Sequence, residues 1–191
     1  MNAPSEQVVL ETRAWVNRAV IGLNLCPFAK AVQLKNQVRY VLSDAADPQV
    51  LMAALCEELQ FLAAADPAAV DTTLLIHPRV LTDFADFNAF LDAVDAAVLE
   101  LGLEGVLQVA SFHPQFQFAG TEPDDLGNAT NRSPHPCLHL LREGSIARAV
   151  EAFPAPEAIF EANIRTLEAL GRQGWVELQA ACRRDAADAA S

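Results

Sequence analysis

The run Asp71-Thr72-Thr73-Leu74-Leu75-Ile76-His77-Pro78 decides the architecture. Its centre is uncharged and rich in β-branched and aliphatic residues, so it reads as a buried strand. Upstream, Asp47-Pro48 supplies an N-cap acid and a proline at the first helical position. Leu51, Leu55, Leu59 and Leu62 then share one helical face, with Glu57 and Glu58 outside. Downstream, a helix from about Asp83 carries Phe84, Phe87, Leu91, Val94, Val98 and Leu101 as its apolar stripe, and Gly102 stops it. Val38–Leu42 is a short strand before the first of these helices, and Val106–Phe118 is a strand after the second. Two strand–helix–strand units imply right-handed parallel crossovers.

Toward the N-terminus, Val8, Thr12, Trp15, Ala19 and Leu23 follow the 3.6-residue period of an amphipathic helix over 8–25. Leu25-Cys26-Pro27-Phe28 then marks a break or a restart. Toward the C-terminus, residues 119–136 form a long irregular loop with several Pro, Gly and Asn, followed by a strand over Cys137–Leu141. Ser145 caps a short helix that ends before Pro154, and Glu157–Leu170 and Trp175–Cys182 are two further helices. The predicted order is α-β-α-β-α-β-β-α-α-α. The third and fourth strands are near enough in sequence to pair antiparallel across the loop. The expectation is a layered α/β sandwich around a four-stranded mixed sheet. It forms a single domain over 1–191, with a helical C-terminal segment 145–183 and a frayed tail 184–191.

Composition narrows the function classes. The 191 residues carry 13 Lys+Arg against 25 Asp+Glu, a net charge of −12, and are 52% apolar. That is a globular composition, and its acidity disfavours general nucleic-acid binding, which needs a basic footprint. The acidic load concentrates in residues 41–105, with one basic group against twelve acidic ones, a pattern that fits the solvated faces of two surface helices. The start lacks the basic-then-apolar order of a secretory signal, and no 18-residue apolar window predicts a membrane span. Cys26, Cys56, Cys137 and Cys182 are scattered without a Cys-x-x-Cys pair, which suits a reducing cytoplasm.

The chemistry-bearing segment is 111–139. Alternation in an extended strand puts His113, Gln115 and Gln117 on one face and Phe112, Phe116 and Phe118 on the other. In the fourth strand, His135, Cys137 and His139 share a face opposite Leu138 and Leu140. Side-by-side strands would gather imidazoles, a thiol and carboxamides on one patch, where they need water, a partner or a ligand. The loop adds Glu122, Asp124, Asn128, Asn131, Arg132 and Ser133, and loops of this length are often functional.

Three chemistries suit that patch. A divalent metal is one: His113, His135, Cys137 and His139 are candidate ligands, with Glu122 or Asp124 completing the set. His135 and His139 are about 13 Å apart along a strand, too far to share an ion directly, and the ordinary alternative is a set of hydrogen-bonded structural histidines. A small polar or anionic ligand is the second, anchored by Arg132 with Asn131 and Ser133 and oriented by Gln115, Gln117 and Asn128. The alternative there is a loop held by Asx-turns and an internal Arg132–Asp124 or Arg132–Glu122 pair. Thiol chemistry is the third. Cys26 before Pro27 has a raised pKa if it closes a helix and a lowered one if it caps a new helical turn, with Lys30 and Lys35 nearby.

The sequence has no Gly-x-Gly-x-x-Gly, Walker loop, His-Glu-x-x-His or Gly-x-Ser-x-Gly. Three phrases stand out instead: Leu23-Asn24-Leu25-Cys26-Pro27-Phe28-Ala29, Ser111-Phe112-His113-Pro114-Gln115-Phe116-Gln117-Phe118 and Asn131-Arg132-Ser133-Pro134-His135-Pro136. Together they resemble the bacterial domain-of-unknown-function family number fourteen-fifteen, over roughly residues 8–183. The resemblance implies a stand-alone bacterial protein and carries over no activity and no catalytic residues. The favoured reading is an enzyme binding a small polar or anionic ligand in a pocket built from 111–139. His113 and Glu122 would be acid/base groups or metal ligands, and Cys26 a nucleophile or redox thiol. The competing reading is a non-catalytic small-molecule-binding protein, or a homodimeric interaction protein, using the same polar sheet face.

Overall fold

Each strand and long helix forms where local sequence and burial agree. The computed structural model describes residues 3–151 and 158–190. In chain order these are α1 (Ala3–Trp15), α2 (Ala29–Leu34), β1 (Val38–Leu42), α3 (Pro48–Ala64), β2 (Thr72–Ile76), α4 (Phe84–Glu100), β3 (Leu107–Phe112), β4 (Cys137–Arg142), α5 (Glu143–Glu151) and α6 (Ile159–Ala189). The Asp47 carboxylate accepts from the Gln49 and Val50 amides, and Asp83 does the same for Ala85 and Asp86. These caps start α3 and α4 where the sequence places them.

The sheet runs β1-β2-β4-β3. β1 and β2 are parallel, with Tyr40 opposite Leu74. β4 is antiparallel to β2 and to β3, with Cys137 opposite Ile76 and Phe112. The expected four-stranded mixed sheet and element order are therefore present. Its two faces have different cores. Leu75, Leu138 and Leu140 pack against Leu51, Leu55, Leu59 and Leu62 of α3 and Phe87 and Val94 of α4. On the other face, Leu74, Ile76 and Cys137 meet Trp15 of α1 and Leu167, Trp175 and Cys182 of α6.

Several boundaries differ from expectation; α5, for one, starts at Glu143, which leaves Ser145 inside the helix rather than at its cap. The third strand ends at Phe112, not Phe118, because Pro114 brings no N–H to a ladder. The chain turns there instead: the Phe116 amide donates to the His113 carbonyl at 3.1 Å. The long loop contains a 3₁₀ segment, Leu126–Asn131, started by an Asp125 side-chain cap on the Gly127 amide. The tail is helical through Ala189 rather than frayed, since Arg18 forms a two-pronged ion pair with Asp185 at 2.5 and 2.7 Å and Ala186 is buried. Gly171, at φ 70° and ψ 171°, interrupts α6 between the two helices expected there. The expected helix end before Pro154 and helix start at Glu157 lie outside the described residues.

Beyond Trp15 the first helix continues as a π-helix, Val16–Ile21. The chain then turns through Asn24, at φ 54°, before α2 begins. Among the described residues, no helix is long and apolar enough to cross a membrane.

Candidate functional site

The expected convergence on one sheet patch does not occur. Cross-strand partners point to the same face, so Phe112 shares its side with Cys137. His113 lies beyond the strand end and packs on the α4 side, its ring centroid 5.1 Å from that of Phe87 and 5.5 Å from Phe84. It is fully buried, and both nitrogens are used: Nδ1 accepts from the Gln115 amide at 3.0 Å and Nε2 donates to the Leu81 carbonyl at 3.3 Å. Desolvation lowers its pKa, which keeps the ring neutral. His113 is a structural histidine in an aromatic pile.

The loop groups are likewise engaged in holding the loop. Asn128 is buried; its Oδ1 accepts from the Phe118 amide at 2.9 Å and its Nδ2 donates to the Glu122 carbonyl at 2.9 Å. Gln117 donates to the Thr121 carbonyl, Asn131 to the Ser111 carbonyl and Ser133 to the His135 carbonyl. Gln115 and Glu122 are exposed. Arg132 donates from Nε to the Phe116 carbonyl at 3.1 Å and from Nη2 to the Pro123 carbonyl at 2.6 Å. The internal pair expected with Asp124 or Glu122 is absent among the described residues: Asp124 instead takes Arg172 of α6 at 2.6 Å.

In the fourth strand and just before it, each expected metal ligand has its own partner. The His135 ring lies 2.7 Å from the Glu11 carboxylate. The Cys137 thiol, fully buried, donates to the His135 carbonyl, and burial pushes its pKa up to about 12. His139 meets Thr72. Among the described residues, no three His, Cys, Asp or Glu side chains are grouped so as to hold a metal ion. The donor set expected from His113, His135, Cys137 and His139 is therefore spread over two faces and three neighbourhoods, because strand three stops one residue before His113.

What the structure builds is a cavity of about 700 Å³ on the α1/α6 face of the sheet. Its floor is Leu74, Ala110, Phe112, His139 and Leu141. Val16 and Val20 of the π-helix, the Cys26–Phe28 turn with the start of α2, and Ile146 and Ala149 of α5 complete the walls. The turn is pinned from three sides. Asn163 of α6 donates to the Leu25 carbonyl at 2.9 Å, Tyr40 of β1 to Gln33 at 3.0 Å, and Gln33 to Asn17 at 3.2 Å. At the rim, Ser145 donates to Asp71 at 2.6 Å and Arg148 to Ser145 at 2.9 Å.

The polar feature of the floor is His139. The Thr72 hydroxyl donates to the Leu140 carbonyl at 2.6 Å, so its oxygen is left to accept from His139 Nε2 at 2.7 Å. That assigns the ring proton to Nε2 and leaves Nδ1 an acceptor with no hydrogen-bond partner among the described residues. Desolvation lowers the His139 pKa to about 4, so the imidazole is neutral at physiological pH. Cys26 also lines the cavity. Its thiol pKa is raised, chiefly by desolvation and against the pull of the Phe28 and Ala29 amides, so the expected activated thiolate is not favoured. Cys26, His113 and Glu122, the expected catalytic set, stand in a cavity wall, behind the opposite face and on an exposed loop.

Sequence reasoning missed Trp15, Thr72, Leu74, Ala110, Leu141 and Ile146 as cavity residues. The usable signal was small or polar residues, Thr72 and Ala110, within otherwise bulky strands.

The family model Protein of unknown function (DUF1415) matches residues 7–177. No curated protein and no solved structure matches the chain. The chain belongs to the DUF1415 family.

Proposed function

We propose that this DUF1415 member binds a small, mainly apolar molecule carrying one hydrogen-bond donor, such as a hydroxyl or amide N–H, in the cavity over β2, β3 and β4. The observation that carries this reading is His139: a neutral imidazole on the floor of an apolar hollow, with one nitrogen fixed by Thr72 and the other without a hydrogen-bond partner among the described residues. A volume near 700 Å³ falls in the range of small-molecule sites, which pair apolar walls with few orienting polar groups. The apolar walls favour a different ligand class from the polar or anionic one expected from the sequence. A base whose pKa is about 4 is a poor proton acceptor at neutral pH, so binding is favoured over acid/base catalysis at this residue. A homodimer built on a polar sheet face loses its support, because that face is not assembled. The acidic composition supports a small-molecule partner over nucleic acid, and four free cysteines fit a reducing, cytoplasmic setting.

Paired titrations with naphthalene and 2-naphthol test the reading, since the two differ by one hydroxyl. The expected result is saturable binding of both, with 2-naphthol favoured about fivefold, the worth of one net hydrogen bond. In His139→Phe the preference disappears. Failure of both compounds to bind, or a preference that survives in His139→Phe, would overturn it.

A further inference from the structure

A second hollow lies on the other side of Trp15. It has a volume of about 230 Å³, and its lining includes Glu11, Trp15, Trp175, Arg132, Gln179 and Arg183. We propose that this pocket is a site for a small oxyanion, a carboxylate or a phosphate, held by the Arg132 guanidinium. The proposal is independent of the apolar cavity and of what binds there.

Among the described residues, Arg132 is a cation with no carboxylate in direct ion-pair contact. Arg132 is partly buried, and its hydrogen bonds go to two main-chain carbonyls, from Nε to Phe116 and from Nη2 to Pro123. Carbonyls orient a guanidinium but do not neutralise it. With two of its five N–H groups spent, three remain: both on Nη1 and one on Nη2. These form an end-on fork of the kind that takes two oxygens of one anion.

Among the described residues, no carboxylate lies within ion-pair distance of Arg132. The acids nearest in sequence are engaged or exposed: Asp124 pairs with Arg172, Asp125 caps the Gly127 amide, and Glu122 is exposed. The Glu11 carboxylate is occupied by Gln7 at 3.1 Å and by His135 at 2.7 Å. Burial lowers the Arg132 pKa, against the partial pull of the Asp125 carboxylate, which is not in direct contact. Arg183 adds positive potential from the exposed side. The indoles of Trp15 and Trp175, both buried, give the pocket flat walls.

Both tryptophans of the chain line this pocket, so it reports on itself. The test is to titrate the full chain with inorganic phosphate and, separately, with benzoate, at ionic strength held constant with chloride. Tryptophan fluorescence and the two indole N–H resonances are read. The expected result is a saturable response to at least one anion at or below about 1 mM. Arg132→Gln weakens it at least tenfold and Arg183→Gln about threefold. Arg165→Gln, which removes an exposed charge paired with Glu161 on α6, leaves it unchanged. Response to phosphate alone assigns a phosphate group, and response to benzoate alone assigns a carboxylate. Should Arg132→Gln fail to fold, the wild-type indole shifts and their weakening in Arg183→Gln carry the decision. No saturable response to either anion, an undiminished response in folded Arg132→Gln, or wild-type indole shifts that Arg183→Gln leaves as strong would overturn the proposal.

Discussion

One sheet separates two cores built from similar residues, and only one of them is full. On the α3/α4 side, two long capped helices lie against Leu75, Leu138 and Leu140, and Leu51, Leu55, Leu59, Leu62 and Phe87 have no exposed surface. On the α1/α6 side, the cover over the middle strands is made from a π-helix, a turn pinned at Leu25 and Gln33, and the short α5, which buries none of its residues. Beneath that cover sit Ala110 and Thr72, too small to reach it. The difference shows how a hollow arises in a protein interior: its cover is assembled from ends and turns rather than from a continuous ridge that interdigitates with the strands.

That contrast can be broken first by truncation. Leu59→Ala on the full side should cost about 3–5 kcal/mol, because it opens a new void among well-packed neighbours. Leu74→Ala should cost less than about 2 kcal/mol, because that side chain already borders empty space and has fewer contacts to lose. Urea denaturation of the two variants compares them directly. Equal losses would mean that the hollow is closed in solution.

Acid sharpens the contrast next, since the α3/α4 face holds the buried imidazoles of His77 and His113 and the other face that of His139. His77 stacks on Phe87 with its ring centroid at 5.6 Å, and its Nε2 is buried without a hydrogen-bond partner among the described residues. Desolvation lowers its pKa to about 4, as for His139. Both are depressed from 6.5, so on acidification the unfolded chain binds protons that the folded chain refuses. Stability is whole above pH 6.5, falls as pH drops toward 4, and then levels with respect to these two groups. The slope reaches at most about 1.4 kcal/mol per pH unit for each histidine. Denaturation at pH 7.5 and pH 5 should show the loss, and His139→Phe should remove part of it. A stability unchanged between those pH values would contradict the burial of both rings.

The smallest effect concerns Cys26. Alkylation followed against pH should give a midpoint above the free-thiol value of about 8.5, and 2-naphthol should slow it. A midpoint below 7.5 would mean that the turn stabilises a thiolate after all.

The sheet was legible because its strands announce themselves: Val38–Leu42 and Thr72–Ile76 occur where pattern alone places them. The capped helices between them were legible for the same reason, since Asp47-Pro48 and Asp83 act locally. The site was not. Alternation was carried past His113-Pro114, although proline ends the ladder, and that extension transferred His113, Gln115 and Gln117 to a face they do not share. The histidine–phenylalanine pattern was real but served an aromatic pile of Phe84, Phe87, His113 and Phe116. A hollow leaves only a faint trace in sequence, because it depends on what does not reach across. Even so, His139, Cys26 and Arg132 were selected for their chemistry, and each lines a cavity, though not a shared one.

The most direct test of the two-sided account is methyl NMR of the full chain with and without 2-naphthol. The account predicts shifts confined to methyl groups of Val16, Val20, Val32, Leu74, Leu141 and Ile146, with Leu51, Leu55, Leu59 and Leu138 unmoved. Shifts centred on the second group, or none at all at saturating probe, would contradict it.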